Sequence, residues 1–305
     1  MMPHPQDSRP DATTPRAQPP RVGRFAYIET SDVEPGSGGA GQLSTMTVVA
    51  PTLGHDGKGG RGDVSYWLPR GCEKESDLPV VVLLHGVFGS HWAWANKAGA
   101  HVTAQRLIDA GEIAPCVLAM PSDGLVGEGS GYVNHPGGPR CADWIADDVP
   151  DALRAVVPQV GEGSCFYIAG LSMGGFGAKR LGAARPDRFA AFAGLSSLTH
   201  LDQMAWCTHD ATRFIGWDKT EASLVETLTR QRGKHGPFRF DCGRDDYLIE
   251  ENRKLHAQLN AAGIEHTYEE FAGEHTWDYW RGHLAEALRF FDHHAQHDGS
   301  DNDAD

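Results

Sequence analysis

The segment CFYIAGLSMGGFGAKRLGAA, residues 165–184, decides the fold. Its first part, Cys165–Ala169, is a short apolar run typical of a buried strand, and Gly175–Ala184 has the composition of a helix. The pattern G-x-S-x-G, centred on Ser172, lies between them. A strand that turns this tightly into a helix lifts the serine above the sheet and needs glycine on either side. The helix N-terminus beneath the serine favours developing negative charge. Ser172 is therefore a candidate nucleophile.

Strands and helices alternate on both sides of this segment. The predicted strands are Leu43–Ala50, Asp63–Leu68, Pro79–Leu84, Pro115–Met120, Ala190–Leu195, Phe238–Cys242 and His266–Phe271, and the predicted helices are Ala98–Ala110, Trp144–Val157, Leu248–Ala262 and Trp277–His293. The run PVVVLL at 79–84 is apolar throughout, as in a central parallel strand buried on both faces. The alternation predicts an α/β fold with a mainly parallel central sheet and helices on both faces. Residues 196–237 leave room for only a small lid.

The two ends of the chain differ in composition from its middle. Residues 1–24 are rich in Pro, Arg and Asp, and residues 298–305 are acidic, so both are predicted to be disordered around one domain at 25–297. The N-terminus lacks the apolar core of a signal peptide, and no apolar run of 18 residues occurs. We therefore expect a cytoplasmic protein without membrane contact. Its six cysteines include no C-x-x-C pair and are expected to be reduced.

The net charge and the remaining motifs argue against nucleic acids, dinucleotides and metal ions as binding partners. The 305 residues include 27 basic and 41 acidic ones, a formal net charge of −14, which predicts repulsion from nucleic-acid phosphates. The G-x-G-x-x-G pattern at 36–41 has no strand before it and no helix after it, so it is interpreted as a linker. The histidines near the C-terminus, His293, His294 and His297, are interpreted as a solvated helix end. No metal or cofactor is predicted, and the oligomeric state is left open.

A serine hydroxyl becomes a good nucleophile when a base takes its proton and an acidic residue orients that base. The predicted strand that ends at Phe271 leads into a loop with His275, the predicted base. The preceding strand leads into GRDD, whose last residue, Asp246, is the preferred acid because it stands furthest out on the loop. Asp245 remains an alternative, and Asp241 is a weaker one because it lies within the strand.

The sequence also indicates donors for an oxyanion. The most apolar strand runs directly into His85-Gly86-Val87, a turn that can point backbone N–H groups at a substrate carbonyl. The N–H groups of Val87 and of Met173, the residue after the candidate nucleophile, are the predicted pair. Because Val87 would act through its backbone, its side chain should matter little.

Four segments resemble the "Putative esterase" family of α/β hydrolases, which includes esterase D (S-formylglutathione hydrolase), tributyrin esterase, feruloyl and acetylxylan esterases and antigen 85 mycolyltransferases. They are LPVVVLLHGVFGSHWAW (78–94), IAGLSMGGFGAKRLGAARPDRFAA (168–191), DCGRDDYLIEENRKLHAQLNAAGI (241–264) and FAGEHTWDYW (271–280). The resemblance spans about 43–292 and implies Ser172, Asp246 and His275 as the triad. Asp246 matches the last position of the family's G-x-x-D loop.

Some features depart from the family. Many members that act on polysaccharides are secreted, whereas no export signal is expected for this chain. Leu171 stands where S-formylglutathione hydrolases usually carry histidine. Four tryptophans are candidates either for the pocket or for the core: Trp92, Trp94, Trp277 and Trp280. No role is assigned to Asn134 or His135, which lie on a loop expected to border the site.

These patterns predict a serine carboxylic-ester hydrolase that forms an acyl-enzyme on Ser172. Its substrates would be small-molecule esters with short acyl groups, because no long apolar lid is available. An S-formylglutathione-type thioesterase and an acyltransferase are the alternatives among enzymes. A non-catalytic binding module that has kept the triad is the alternative from another class.

Overall fold

A nine-stranded sheet runs through the molecule in the computed structural model, which describes residues 22–33, 40–54, 58–214 and 217–298. The strands are β1 Tyr27–Asp32, β2 Gln42–Ala50, β3 Gly60–Leu68, β4 Val80–Leu84, β5 Val117–Pro121, β6 Phe166–Leu171, β7 Ala191–Leu195, β8 Phe238–Gly243 and β9 Thr267–Phe271. Their order across the sheet is β1-β2-β3-β5-β4-β6-β7-β8-β9, so β1 and β9 are the outer strands.

Helices cover both faces of this sheet. They are α1 Ala93–Ala98, α2 Ala100–Asp109, α3 Cys141–Asp143, α4 Val149–Val156, α5 Met173–Ala184, α6 Lys219–Ala222, α7 Leu224–Arg230, α8 Ile249–Ala261 and α9 Trp277–Asp298, with 3-10 turns at Leu201–Trp206 and Ala211–Phe214. Helices α1, α2 and α9 contribute to the apolar core on one face, and α4, α5, α7 and α8 to the core on the other. None of the described helices is long and apolar enough to cross a bilayer.

The sheet is parallel from β5 to β9 in spatial order, and β1, β2 and β3 join it in antiparallel pairs. This confirms the predicted α/β class with a mainly parallel sheet. Every residue of β4 and β6 is buried, as the apolar runs in these strands predict. Because parallel strands end at the same edge, the loops after β4, β6, β8 and β9 meet there. These loops carry the predicted site residues.

The elements differ from the predictions mainly at their ends. The predicted helix at Gly175 begins at Met173, and β1 was not predicted. The predicted helix over 144–157 opens into a π turn at Trp144–Asp148. Pro150 lacks an N–H and cannot continue the regular α-helical bonding, which accounts for the wider turn before it. The small lid predicted between β7 and β8 consists of two 3-10 turns followed by α6 and α7.

The chain ends were predicted to be disordered, and most of them, 1–21 and 299–305, lie outside the described residues. At the N-terminal side, Phe25 is buried in the core and Arg24 pairs with both Asp148 and Asp151. Asp298 is the last residue of α9. The limits 25–297 for a single domain stay a prediction. Most of the predicted linker, 36–41, also lies outside the described residues.

A lysine lies in the core between the sheet and α5. The Lys179 side chain is fully buried, its Nζ has no hydrogen-bond partner among the described residues, and it sits 4.5 Å from the ring centroid of Phe240. Burial lowers the pKa of Lys179 to about 7. In the unfolded chain a lysine titrates near pH ~10.4. Below about pH 7 the fold must therefore bury the charged ammonium at full cost, and this cost disappears as the pH approaches ~10.

We expect Lys179→Met to stabilise the protein at pH 6 to 7, by roughly 1–4 kcal/mol, because a buried charge is replaced by an apolar chain of similar length. The gain should shrink as the pH rises towards ~10. Urea unfolding at several pH values measures it. Lys254→Met is the matched control, since Lys254 is exposed and pairs with Glu251. A gain that does not change with pH, or a loss at pH 6, would contradict this expectation.

Candidate active site

The turn between β6 and α5 holds Ser172 in a strained backbone conformation, with φ 53° and ψ −120°. A Cβ atom on Gly170 would lie 2.3 Å from the carbonyl oxygen of Gly174, and one on Gly174 would lie 2.3 Å from that of Leu84. Both glycines are thus required by close backbone approach, as the sequence pattern predicts. Ser172 is 3 % exposed and stands at the N-terminus of α5.

His275 lies between Ser172 and a carboxylate. Its Nε2 atom is 3.0 Å from the Ser172 Oγ atom, and its Nδ1 atom is 2.8 Å from the Asp246 Oδ2 atom. The three side chains come from loops after β6, β8 and β9, and they are far apart in sequence. The structure therefore brings together the three residues that the sequence predicts, in a line along which a proton can pass from the hydroxyl to the imidazole.

Asp246 differs in its surroundings from Asp245 and Asp241, the two alternatives for the acid. Asp246 is 2 % exposed, and its Oδ1 atom accepts a hydrogen bond of 2.8 Å from the Leu248 N–H. Asp245 is exposed to solvent. The carboxylate of Asp241 is buried and accepts a hydrogen bond of 2.8 Å from the Tyr279 hydroxyl. Burial raises the pKa of Asp241 to about 7. Of the three carboxylates, Asp246 is the one bonded to His275.

The loop after β4 lies against the candidate nucleophile. A Cβ atom on Gly86 would lie 3.3 Å from the Ser172 Cβ atom, so the backbone before Val87 runs close to the serine. In the described part of the chain, no hydrogen bond occupies the Val87 N–H. Met173 is the first residue of α5, where helical N–H groups have no partner within the helix. Both predicted donors thus belong to segments next to Ser172.

Aromatic rings flank His275 on two sides. The Tyr247 ring centroid is 4.6 Å from that of His275, and the Trp280 centroid is 4.9 Å away at nearly a right angle. Tyr247 is 55 % exposed, whereas Trp280 is buried. Tyr247 is not among the predicted site residues, although its place directly after Asp246 is a signal. Trp94 is also buried, with its indole N–H donating to the Leu84 carbonyl, so it has a structural role.

The loop after β5 packs against the segment between β7 and β8. The His135 Nε2 atom lies 2.9 Å from the Ser130 carbonyl oxygen, and the ring packs edge-on against Phe214 and Trp217. Asn134 accepts a hydrogen bond of 3.2 Å from the Asp143 N–H. Asn134 and His135 therefore shape this loop. Within the described residues, no group of three or more histidine, cysteine or acidic side chains is arranged to hold a metal ion.

Comparison with known proteins gives a family match over most of the chain. The model of the "Putative esterase" family matches residues 59–291, which is most of the chain. The protein belongs to this esterase family. The match begins one residue before β3 and ends within α9, so it includes the loops of Ser172, Asp246 and His275.

Individual relatives are similar over most of their length. An acetyl esterase from Caldicellulosiruptor saccharolyticus is 28 % identical over 232 residues, which cover 70 % of this chain and 83 % of the relative. An S-formylglutathione hydrolase from Paracoccus denitrificans is 23 % identical and covers 58 % of this chain and 67 % of its own length.

Solved structures show the same fold. A ferulic acid esterase is similar with a TM-score of 0.70 at 24 % identity, over 83 % of this chain and 97 % of that one. An S-formylglutathione hydrolase from Staphylococcus aureus is similar with a TM-score of 0.68 at 18 % identity, over 86 % of this chain and 98 % of that one. Membership of this family makes the protein an esterase, a hydrolase of carboxylic esters.

Proposed function

We propose that the protein hydrolyses short-chain carboxylic esters in two steps, through an acyl-enzyme on Ser172. The hydroxyl of Ser172 attacks the ester carbonyl while His275 takes its proton, and Asp246 orients the imidazole and stabilises its charged form. His275 then gives the proton to the departing alcohol. In the second step His275 removes a proton from water, which attacks the acyl-enzyme, and His275 returns this proton to the Ser172 oxygen as the acid is released.

Backbone N–H groups would stabilise the negative charge that develops on the carbonyl oxygen. We assign this role to Val87 and Met173, because their segments flank Ser172 and because the Val87 N–H has no partner among the described residues. One such donor is typically worth about 3 kcal/mol in the transition state. Neither side chain is required for it.

The observation that carries the proposal is the hydrogen-bonded line from Ser172 through His275 to the buried Asp246. A serine beside a histidine is activated only when the ring presents an unprotonated nitrogen, and a buried acceptor at Nδ1 selects that tautomer. Asp246 supplies the acceptor and is itself held by the Leu248 N–H. A surface histidine whose Nδ1 atom has no buried acceptor would not activate the serine in this way.

For the acyl group we propose acetyl or another short chain, in line with the acetyl esterase among the relatives. The S-formylglutathione hydrolase among the relatives keeps a thioesterase as the second candidate. Both reactions would use the same serine, histidine and aspartate. Acyl transfer to an alcohol would differ in its second step, with the alcohol in place of water.

The test is hydrolysis of p-nitrophenyl acetate, butyrate and octanoate, with S-formylglutathione measured in parallel. We expect kcat/KM for acetate to exceed that for octanoate by about tenfold or more, since each poorly accommodated methylene group costs binding. A large preference for the thioester would identify the second candidate. Failure to hydrolyse any of them, together with inertness to a serine-directed phosphonate, would support the binding module instead.

A further inference from the structure

A short segment of the loop after β5, Val126–Gly129, contacts both sides of the proposed oxyanion hole. On one side, the carbonyl oxygen of Glu128 accepts a hydrogen bond of 2.8 Å from the Phe88 N–H. Phe88 follows Val87 directly and has a φ of 58°, a conformation that a phenylalanine rarely adopts. The bond to the Glu128 carbonyl therefore holds the Val87–Phe88 peptide, which directly follows the Gly86–Val87 peptide that carries the Val87 N–H.

On the other side, the same segment touches the residue after the nucleophile. A Cβ atom on Gly129 would lie 2.6 Å from the Met173 Sδ atom and 3.4 Å from the Met204 Cε atom. The backbone at Gly129 is thus in close contact with the Met173 side chain, which is completely buried. A shift of the 126–129 segment would disturb both residues whose N–H groups are assigned to the oxyanion.

The segment is in turn bound to the lid. The Glu128 carboxylate accepts a hydrogen bond of 2.6 Å from the His209 N–H, and its second oxygen lies 2.7 Å from the His209 Nδ1 atom. The Arg213 guanidinium donates to the Val126 carbonyl at 3.5 Å. The His209 N–H bond lowers the pKa of Glu128, so the carboxylate is ionised at neutral pH. Glu128 thus contacts the lid through its carboxylate and the loop of Val87 through its carbonyl oxygen.

We propose that Glu128 is a positioning residue for ester hydrolysis: bound to His209 of the lid through its carboxylate, it holds the Val87 and Met173 peptides in the geometry that stabilises the oxyanion. The inference rests on the function proposed above and extends it to a residue that does not touch the substrate. Oxyanion donors act only within a narrow range of distance, about 2.7–3.1 Å, so a small displacement of this segment weakens them.

The contact between Glu128 and His209 is suited to a positioning role, because its loss should change the free energy of unfolding only little. The Glu128 side chain is 29 % exposed and that of His209 is 91 % exposed. Exposed pairs of this kind contribute little to stability. Variants at these two positions should therefore fold normally, and their effect should appear in the chemical step.

The experiment compares kcat and KM for p-nitrophenyl acetate between the wild type, Glu128→Ala and Glu128→Gln. Loss of a whole oxyanion donor typically costs about 100- to 1000-fold, and a loosened donor should cost less, so we expect Glu128→Ala to lower kcat about tenfold. KM and the melting temperature should stay close to those of the wild type. Glu128→Gln keeps an acceptor for the His209 N–H and should recover most of the activity.

A second measurement separates positioning from a general structural defect. A trifluoromethyl ketone forms a tetrahedral adduct that needs the oxyanion donors, so its affinity should fall in Glu128→Ala by the same factor as kcat/KM. His209→Ala should lower kcat less, because the main-chain bond remains. The double variant Glu128→Ala/His209→Ala should be no slower than Glu128→Ala, since the two residues act as a unit.

Glu112→Ala is the matched control, because Glu112 forms an exposed ion pair with Arg289 at 2.6 Å on another part of the surface. It should leave kcat unchanged. A wild type that hydrolyses esters together with an unchanged kcat in Glu128→Ala would overturn the positioning role alone. A fall in melting temperature that accounts for the lost activity, without recovery in Glu128→Gln, would overturn it too. A wild type inactive on all esters would instead remove the proposed function, and the inference with it.

Discussion

Ser172→Ala should lower kcat for ester hydrolysis by about a million-fold, to a level set by whatever the oxyanion donors and binding alone provide. The variant has no hydroxyl to attack the carbonyl, and His275 has no proton to take. The measurement is steady-state hydrolysis of p-nitrophenyl acetate with purified protein. Labelling by a fluorophosphonate should disappear in parallel, because the label reacts with the same oxygen.

The control for this variant is Ser164→Ala. Ser164 is a buried serine just before β6, at the end of the strand opposite to Ser172, and its hydroxyl accepts a hydrogen bond from the Gly161 N–H. Removing it should leave activity and labelling intact. Equal rates in the wild type and Ser172→Ala would show that another group carries the reaction, and the mechanism proposed above would be wrong.

Asp246→Asn should lower kcat by about ten-thousand-fold while the fold is preserved, as expected for a triad that has lost its correct tautomer. The reason lies in the two oxygens of Asp246. Its Oδ1 atom accepts from the Leu248 N–H, so in the asparagine the carbonyl oxygen keeps this place and the amide N–H₂ turns to His275. The Nδ1 atom must then accept, the proton moves to Nε2, and the ring cannot take the Ser172 proton.

The control is Asp245→Asn, which makes the same chemical change at the neighbouring residue. Asp245 is exposed and contributes its backbone N–H to the Gly273 carbonyl, a bond that the variant keeps. We expect nearly full activity from Asp245→Asn when both variants are assayed with p-nitrophenyl acetate. If Asp245→Asn lost the activity and Asp246→Asn kept it, the acid would be Asp245. The hydrogen bonds of His275 in solution would then differ from those described above.

The site could be anticipated from the sequence because its parts obey local rules. Backbone clashes around Ser172 require glycine at fixed positions, because only glycine avoids them. This requirement can be recognised in the sequence. The places of Asp246 and His275 follow from the rule that loops after parallel strands meet at one edge. The choice between Asp245 and Asp246 does not follow from such a rule. It depends on the direction in which each side chain points from the loop.

Other features depend on contacts between distant segments, which no local pattern records. The carboxylate of Glu128 lies against His209, 81 residues further along the chain. The burial of Lys179 follows from how α5 lies on β6 and β7, and a lysine in a helix is ordinarily expected at the surface. The strand β1 was missed because YIETSD alternates poorly and only its first two residues are partly buried.

The outer strands of the sheet have a consequence for how these molecules meet one another. An unpaired strand edge offers free N–H and C=O groups to any other chain, and such edges are sites of aggregation. Here β9 carries Glu269 and Glu270, which pair with Arg239 and Arg253, and β1 exposes Glu29. Two such edges brought side by side would have to bury these charged side chains and their ion pairs, which costs free energy. The charged borders of the sheet therefore discourage neighbouring molecules from joining into a continuous sheet.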